Sequence, residues 1–284
     1  MSHLSATRSE LAYADRSDRA KLRFTGPQRA WFLHQIMTND FDPIEAGEAR
    51  AAALLTVHGR MVGYLEAVAT EDSILVHFEP ELAGTLPDAI RHYVFATQVE
   101  IDDVTEDYGL ILVAGDGWQE AATAAAPGAP LQTTHSLGEP AGYVWVERGA
   151  LSDVIAALSA REAGEEELES IRIANGVARW GRDMDQKTIP QEARIEDHAV
   201  HFEKGCYVGQ EAMAKIHFRG KVNRLLRRLD ANEPVSVGMD VMVGDAKVGT
   251  VTSSSGAKAL AILKRSIEPG TVVDIGGAEA KVVA

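Results

Sequence analysis

The residues with the most chemical potential in this 284-residue chain stand together at Lys204-Gly-Cys-Tyr-Val-Gly-Gln-Glu211. A thiol and a phenol lie between two glycines, and a helix-compatible stretch begins at Gln210. Gly205 and Gly209 allow the backbone to turn tightly and approach a ligand. Cys206 precedes a helix N-terminus and has Lys204 nearby; both favour the thiolate, the nucleophilic and metal-binding form. The same residues suit a cysteine buried as a small hydrophobe, with the glycines serving only the turn. Residues 212–229 then carry Lys215, Arg219, Lys221, Arg224, Arg227 and Arg228 and no acid. Such a run attracts a carboxylate tail or a phosphate, although each arginine alone equally suits a solvated strand face. Upstream, Trp180-Gly-Arg-Asp183 and Ile189-Pro-Gln-Glu192 set an aromatic plane beside carboxylates. A heteroaromatic ligand uses the first for stacking and the second to receive its N–H donors. Trp180 also suits a core position and Asp183 a turn. His198, His201 and Cys206 are loosely spaced and lack a fourth ligand, so no metal is assigned. No Gly-x-Ser-x-Gly elbow, Gly-x-Gly-x-x-Gly loop or Walker A loop occurs.

Composition narrows the function classes. Against 28 basic residues stand 42 acidic ones, a formal charge of −14 that argues against direct nucleic-acid binding. The lone Cys206 excludes an intrachain disulfide framework and a cysteine-rich zinc site, and fits a reducing cytoplasm. An iron–sulfur cluster takes about four thiolates, so this chain alone cannot hold one conventionally. The first ten residues lack the apolar centre of a signal peptide. No stretch approaches the roughly 20 apolar residues of a spanning helix, so no membrane partner is expected.

The elements that must position these residues are readable from periodicity. Lys21–Phe24 alternates as a half-buried strand, and Gly26-Pro27 opens a helix that ends at Thr38-Asn39-Asp40. Residues 51–57 and 61–69 predict a hairpin about His58-Gly-Arg60; further strands follow at 72–78, 99–104, 109–113 and 143–146. Helices are predicted over 88–97, from 119 to the breaker at 127–130, over 151–160 and over 165–175, the last with acids at its start and Gly176 after its end. From Leu229 onward short β-prone runs are divided by Gly, Asp and Pro, with turns at Gly244-Asp245 and Gly276-Gly277. This texture predicts a small barrel or sandwich.

The run Lys204–Glu211 resembles the signature of the YgfZ-type folate-binding proteins, relatives of the glycine cleavage T-protein (aminomethyltransferase). Arg172–Gly176, Trp180–Asp183 and Ile189–Glu192 before it, Phe218–Lys221 and Asn223-Arg224 after it, and Lys21–Asp40 near the start carry the likeness across most of the chain. The resemblance implies an α+β, T-protein-like multi-domain arrangement. Residues 1–50 with about 110–228 would form the folate-binding core, 51–109 an inserted α+β domain, and 229–284 a small antiparallel β-barrel. It implies a pocket for tetrahydrofolate or a derivative, and a role in iron–sulfur cluster assembly or repair that supports cluster enzymes and tRNA modification. Partners would be folate and, transiently, assembly or client proteins. Cys206 falls on the signature cysteine, with Lys204 stabilising its thiolate. Trp180, Glu192, Tyr207, Gln210, Glu211, Arg219 and Lys221 are the candidate folate contacts. The T-protein's paired acids after its first hairpin correspond to Gly63-Tyr64, and the acid of its Arg-Leu-Glu-Ala-Gly run to Ala174. Both departures disfavour aminomethyl transfer, the alternative activity, relative to an accessory role.

Overall fold

A computed structural model describes residues 10–220 and 222–283, apart from the side chain of Arg219. Its strands form two five-stranded sheets and a closed barrel. The first sheet runs β3 (Ala49–Leu55), β4 (Met61–Ala69), β5 (Ile74–Phe78), β2 (Ala20–Thr25), β6 (Glu100–Asp103), antiparallel throughout. The second runs β10 (Arg161–Glu162), β1 (Ala12–Asp15), β7 (Tyr108–Ala114), β9 (Ala141–Glu147), β8 (Leu131–Thr133), and only its β1–β10 pair is parallel.

Successive side chains on a strand point to opposite faces, so each sheet serves two layers. Leu65, Ala67, Ile74 and Val76 pack with α1 (Arg29–Ile36) and α2 (Leu86–Arg91). Val68 and Leu75, of the other parity, meet Leu110, Leu112, Tyr143 and Trp145 of the second sheet. That sheet's remaining face, Ile111, Val113, Val144 and Val146, lies under α3 (Trp118–Ala125) and α4 (Leu151–Ala157). Each fully buried Leu or Phe in these layers contributes about 1.5–3 kcal/mol. The stack is helix, sheet, sheet, helix, and the parity of Val68 and Leu75 also sends Tyr64, Glu66 and His77 between the sheets.

Helix α5 (Glu165–Asn175) joins this stack to the barrel: Leu168 enters the inter-sheet layer, while Ile173 meets Leu226 and Leu260. After it come α6 (Pro190–Ala193), α7 (Glu196–Ala199) and α8 (Gln210–Arg219). The barrel closes in the order β11 (Arg224–Ala231), β14 (Lys258–Lys264), β13 (Ala246–Ser255), β12 (Asp240–Val243), β15 (Val272–Ile275), β16 (Ala278–Val283). Its core holds Leu229, Val241 and Leu263.

Four expectations change. A boundary at residue 50 falls inside β3, and β2 is hydrogen-bonded to both β5 and β6, so residues 20–103 share one sheet and no separate unit begins at 51. Alternation reveals a strand but not its neighbours. The barrel starts at Arg224, not Leu229. The helix expected over 88–97 ends at Arg91: Val94 and Thr97 are poor helix formers, and Phe95, 84% exposed, has nothing to pack on. Lys21, expected on a wet strand face, is wholly buried, and its ammonium donates to the carbonyls of Ser17, Arg19 and Thr105.

Candidate functional site

At one end of the inter-sheet layer the packing is incomplete, leaving a cavity of about 340 Å³. The sheets supply Tyr64, Glu66, His77, Glu79 and Tyr143; the turn after α5 supplies Trp180; β11 and the 194–198 segment close the other end with Arg227, Arg228, Arg194 and His198. At the sheet end the groups are carboxylates among aromatic rings. Glu79 is held by Arg19 at 2.5 Å and Arg179 at 3.3 Å. Glu66, 3% exposed, accepts the Thr134 hydroxyl at its Oε1 (2.7 Å). Its Oε2 has no hydrogen-bond partner among the described residues. The nearest cation-capable group, His77 Nε2, is 3.5 Å away. Burial, followed by the fields of Arg19 and Lys21, holds His77 neutral, well below its ordinary pKa. Burial pushes the Glu66 carboxyl up, against the pull of Arg19 and Thr134. Burial, with Glu66 and Tyr143, keeps the Tyr64 phenol protonated.

The barrel end has the opposite sign. Arg227 Nε is buried without a partner among the described residues, and burial, Arg194 and Arg265 all work against its charge. Arg194 holds a left-handed backbone (φ 60°), a conformation that costs a non-glycine residue about 1 kcal/mol or more. Arg228 is tied to the Ala174 carbonyl at 2.7 Å. His198 lies 3.4 Å from the Tyr64 hydroxyl and stacks on His135 at 4.6 Å. Burial and His135 lower its pKa to about 4. Asn39 fixes this segment by donating to the carbonyls of His198 and Ala51, while Thr38 donates to that of Ala199.

The signature run forms a loop before α8, on the hairpin of β3 and β4. Gly209 has φ +83°, and a Cβ there would stand 2.5 Å from the Thr56 carbonyl oxygen, so glycine is required twice over. Lys204 is buried beneath the loop. Its Nζ donates to the carbonyls of His34, Met37 (2.7 Å) and Asn39 (2.7 Å) at the C-terminal end of α1, and sits 5.0 Å over the Tyr207 ring. Gln210 Nε2 donates to the Lys204 carbonyl at 3.2 Å. Cys206 is free and exposed.

No family model matches the chain. A putative transferase of Arabidopsis thaliana, chloroplastic, is 25% identical over 90% of this chain and 64% of its own length. An aminomethyltransferase of Rubrobacter xylanophilus is 26% identical over 88% of this chain and 73% of its own. The mitochondrial iron–sulfur cluster assembly factor IBA57 homolog of Mycosarcoma maydis is 33% identical, over 49% of this chain and 35% of its own. The crystal structure of glycine cleavage system aminomethyltransferase T from Bartonella henselae superposes with TM-score 0.87 at 18% identity, covering 98% of this chain and 86% of that one. The chain has the fold of that aminomethyltransferase T. It spans just under two thirds of the Arabidopsis relative and about a third of the assembly factor.

Within this T-protein-like fold the expected site residues separate into two groups. Trp180 lines the cavity, 5% exposed. Glu192 does not: its oxygens accept from Arg224 Nε (2.8 Å) and Ile189 N (3.2 Å), which ties the barrel to α6. Tyr207 packs in the core beneath the first sheet, and burial raises its pKa to about 12. Lys204 and Gln210 brace the signature loop, and Glu211 is exposed on α8. Lys204's three acceptors account for its ammonium without Cys206. The Arg219 side chain and Lys221 lie outside the described residues. His201 is exposed while His198 faces the cavity, and among the described residues no three His, Cys, Asp or Glu gather as metal ligands. No helix among those residues is long and apolar enough to cross a membrane. Sequence reading missed Glu66, His77 and Tyr64. The available signal was a charged or ring-nitrogen residue inside otherwise apolar strands, Met61–Ala69 and Ile74–Phe78.

Proposed function

We propose that the protein binds tetrahydrofolate or a derivative in the inter-sheet cavity and serves iron–sulfur cluster assembly or repair in the cytoplasm. The two-ended cavity carries this reading. A folate pairs a planar ring bearing N–H donors with a glutamate bearing carboxylates. The cavity pairs a buried acceptor end, with Tyr64, Tyr143 and Trp180 as ring surfaces, with a crowded, incompletely partnered arginine end. Its volume lies in the range of small-ligand sites, roughly 300–1,000 Å³. Arg227 is the group best suited to the glutamate carboxylates, since an anion there relieves the repulsion from Arg194 and Arg265. The assembly step is supported by the likeness to the IBA57 homolog and by the exposed, single thiol. Cys206 loses its proton to solvent and lends one sulfur lone pair to a cluster iron, with no change of oxidation state. One thiolate can hold on to a cluster without owning it, which makes the role accessory, upstream of cluster enzymes and cluster-dependent tRNA modification.

Tetrahydrofolate added to the full chain, followed by tryptophan fluorescence, is expected to give saturable binding, with Arg227→Ala weakening it about tenfold or more. No saturable response from the unaltered chain would sink the ligand assignment. In cells lacking the gene, cluster-enzyme activity is expected to fall. Full rescue by Cys206→Ala would remove the thiol from the reading.

The second reading, aminomethyl transfer to folate, is favoured by the Rubrobacter relative. Against it, the position aligned with the T-protein's paired acids holds Tyr64, whose buried phenol keeps its proton at neutral pH and cannot act as a carboxylate does. Failure to form a substituted folate from aminomethyl donors would end it.

A further inference from the structure

We infer that Glu66 is the specificity-determining anchor of the cavity, gripping the amino-pyrimidinone edge of the ligand's ring through its free oxygen. This rests on the folate reading and says which end of the molecule lies deepest. A buried oxygen without a partner is uncommon in folded proteins and expensive to maintain. Glu66 Oε2 is such an atom, on a side chain 3% exposed that lines the cavity. The groups around it do not satisfy it. Thr134 is committed to Oε1, Arg19 to Glu79 and to His77 Nδ1 at 3.2 Å, and neutral His77 stands too far off. The missing partner is therefore a donor that arrives from the cavity.

The chemistry of that donor is restricted. A carboxylate accepts two adjacent N–H groups, and Oε1 keeps a lone pair after accepting from Thr134. A pterin offers such an edge, its ring N–H beside its exocyclic amino group. The walls at this depth are Tyr64 and Tyr143, flat surfaces for a ring, and the arginines here, Arg19 and Arg179, are paired with Glu79, while Arg194, Arg227 and Arg228 lie at the barrel end, where an anionic tail belongs. A ligand turned end for end would put its carboxylates beside Glu66 and in competition with Glu79 for Arg19 and Arg179.

The test uses the full chain with two probes, tetrahydrofolate and p-aminobenzoylglutamate, the tail without the ring. Glu66→Gln keeps the shape of the side chain but exchanges an acceptor for a donor. It is expected to weaken tetrahydrofolate about tenfold to a hundredfold and to leave the tail fragment's affinity unchanged. Thr134→Val, which removes only the hydroxyl that orients the carboxylate, is expected to weaken tetrahydrofolate by a smaller factor and serves should Glu66→Gln fold poorly. Equal tetrahydrofolate affinity in all three chains overturns the role of Glu66 while leaving the folate reading intact. Equal loss of both probes in Glu66→Gln also overturns it, by showing a general collapse of the cavity. No binding of tetrahydrofolate by the unaltered chain overturns the folate reading and this inference together.

Discussion

In the cavity, Glu66 Oε2 and Arg227 Nε are buried without partners among the described residues; in the signature loop, Lys204 Nζ has three acceptors and the thiol of Cys206 belongs to an exposed residue. On the proposed function, a ligand completes the interactions that the cavity leaves open. The loop completes its own interactions and holds one thiol outward. Tyr207 is its exception, a buried hydroxyl without a partner among the described residues. The two regions share a scaffold, since β3 and β4 support the loop at their hairpin while Tyr64 and Glu66 of β4 enter the cavity. They do not share residues: Cys206 is absent from the cavity wall. Ligand binding and thiol chemistry are thus separable by mutation.

The largest effect is expected where the loop is anchored. Lys204→Met removes the donor from three carbonyls at the end of α1, and is expected to destabilise the protein by about 3 kcal/mol or more in urea unfolding. A loss under about 1 kcal/mol would mean the loop does not depend on its anchor. Next comes the acid response of the cavity. His198 has a folded pKa of about 4, below the ordinary value of 6.5, so the unfolded chain takes up the proton first. Its contribution to stability is fully present above about pH 6.5 and is lost as pH falls towards 4. The drop attributable to it is about 2 kcal/mol after allowing for its partial exposure, and His198→Gln should flatten the urea-unfolding profile by that amount. Parallel profiles for the two chains would show that the ring is not held neutral by the fold. The smallest effect is expected at the exposed thiol. Cys206→Ser should change stability by less than about 0.5 kcal/mol and leave tetrahydrofolate affinity as it was, while client cluster enzymes lose activity. Weakened folate binding in this variant would join the two regions that the structure keeps apart.

Much of the scaffold was legible because the local rules agreed with one another. Helix α5 occupies the predicted 165–175, with acids in its first turn and Gly176 at φ +76° after its last residue. The hairpin of β3 and β4, the barrel strands from β12 onward and the glycine turns at 244 and 276–277 lie where spacing put them. Gly209 was readable as a backbone necessity, and its left-handed turn against Thr56 is the physical reason. The site was less legible. Trp180 reaches the cavity, yet Glu192 spends its oxygens on Arg224 and Ile189, because a carboxylate in a turn takes the nearest donors.

By itself the sequence determined most of the strands and helices, that one thiol is available, and that a tight glycine loop carries it, since each follows from interactions within a few residues. Only the tertiary structure decided which face of β4 and β5 meets a second sheet. Alternation divides Tyr64, Glu66 and His77 from Leu65 and Val76 but assigns neither set its surroundings. Packing sheet on sheet turned one parity into a buried cavity with an unanswered carboxylate, and bringing β11 across its end supplied Arg227 and Arg228. Those positions come from the neighbouring strands β4 and β5 and from β11, far from both in the chain, so no local pattern joins the two ends before the chain folds.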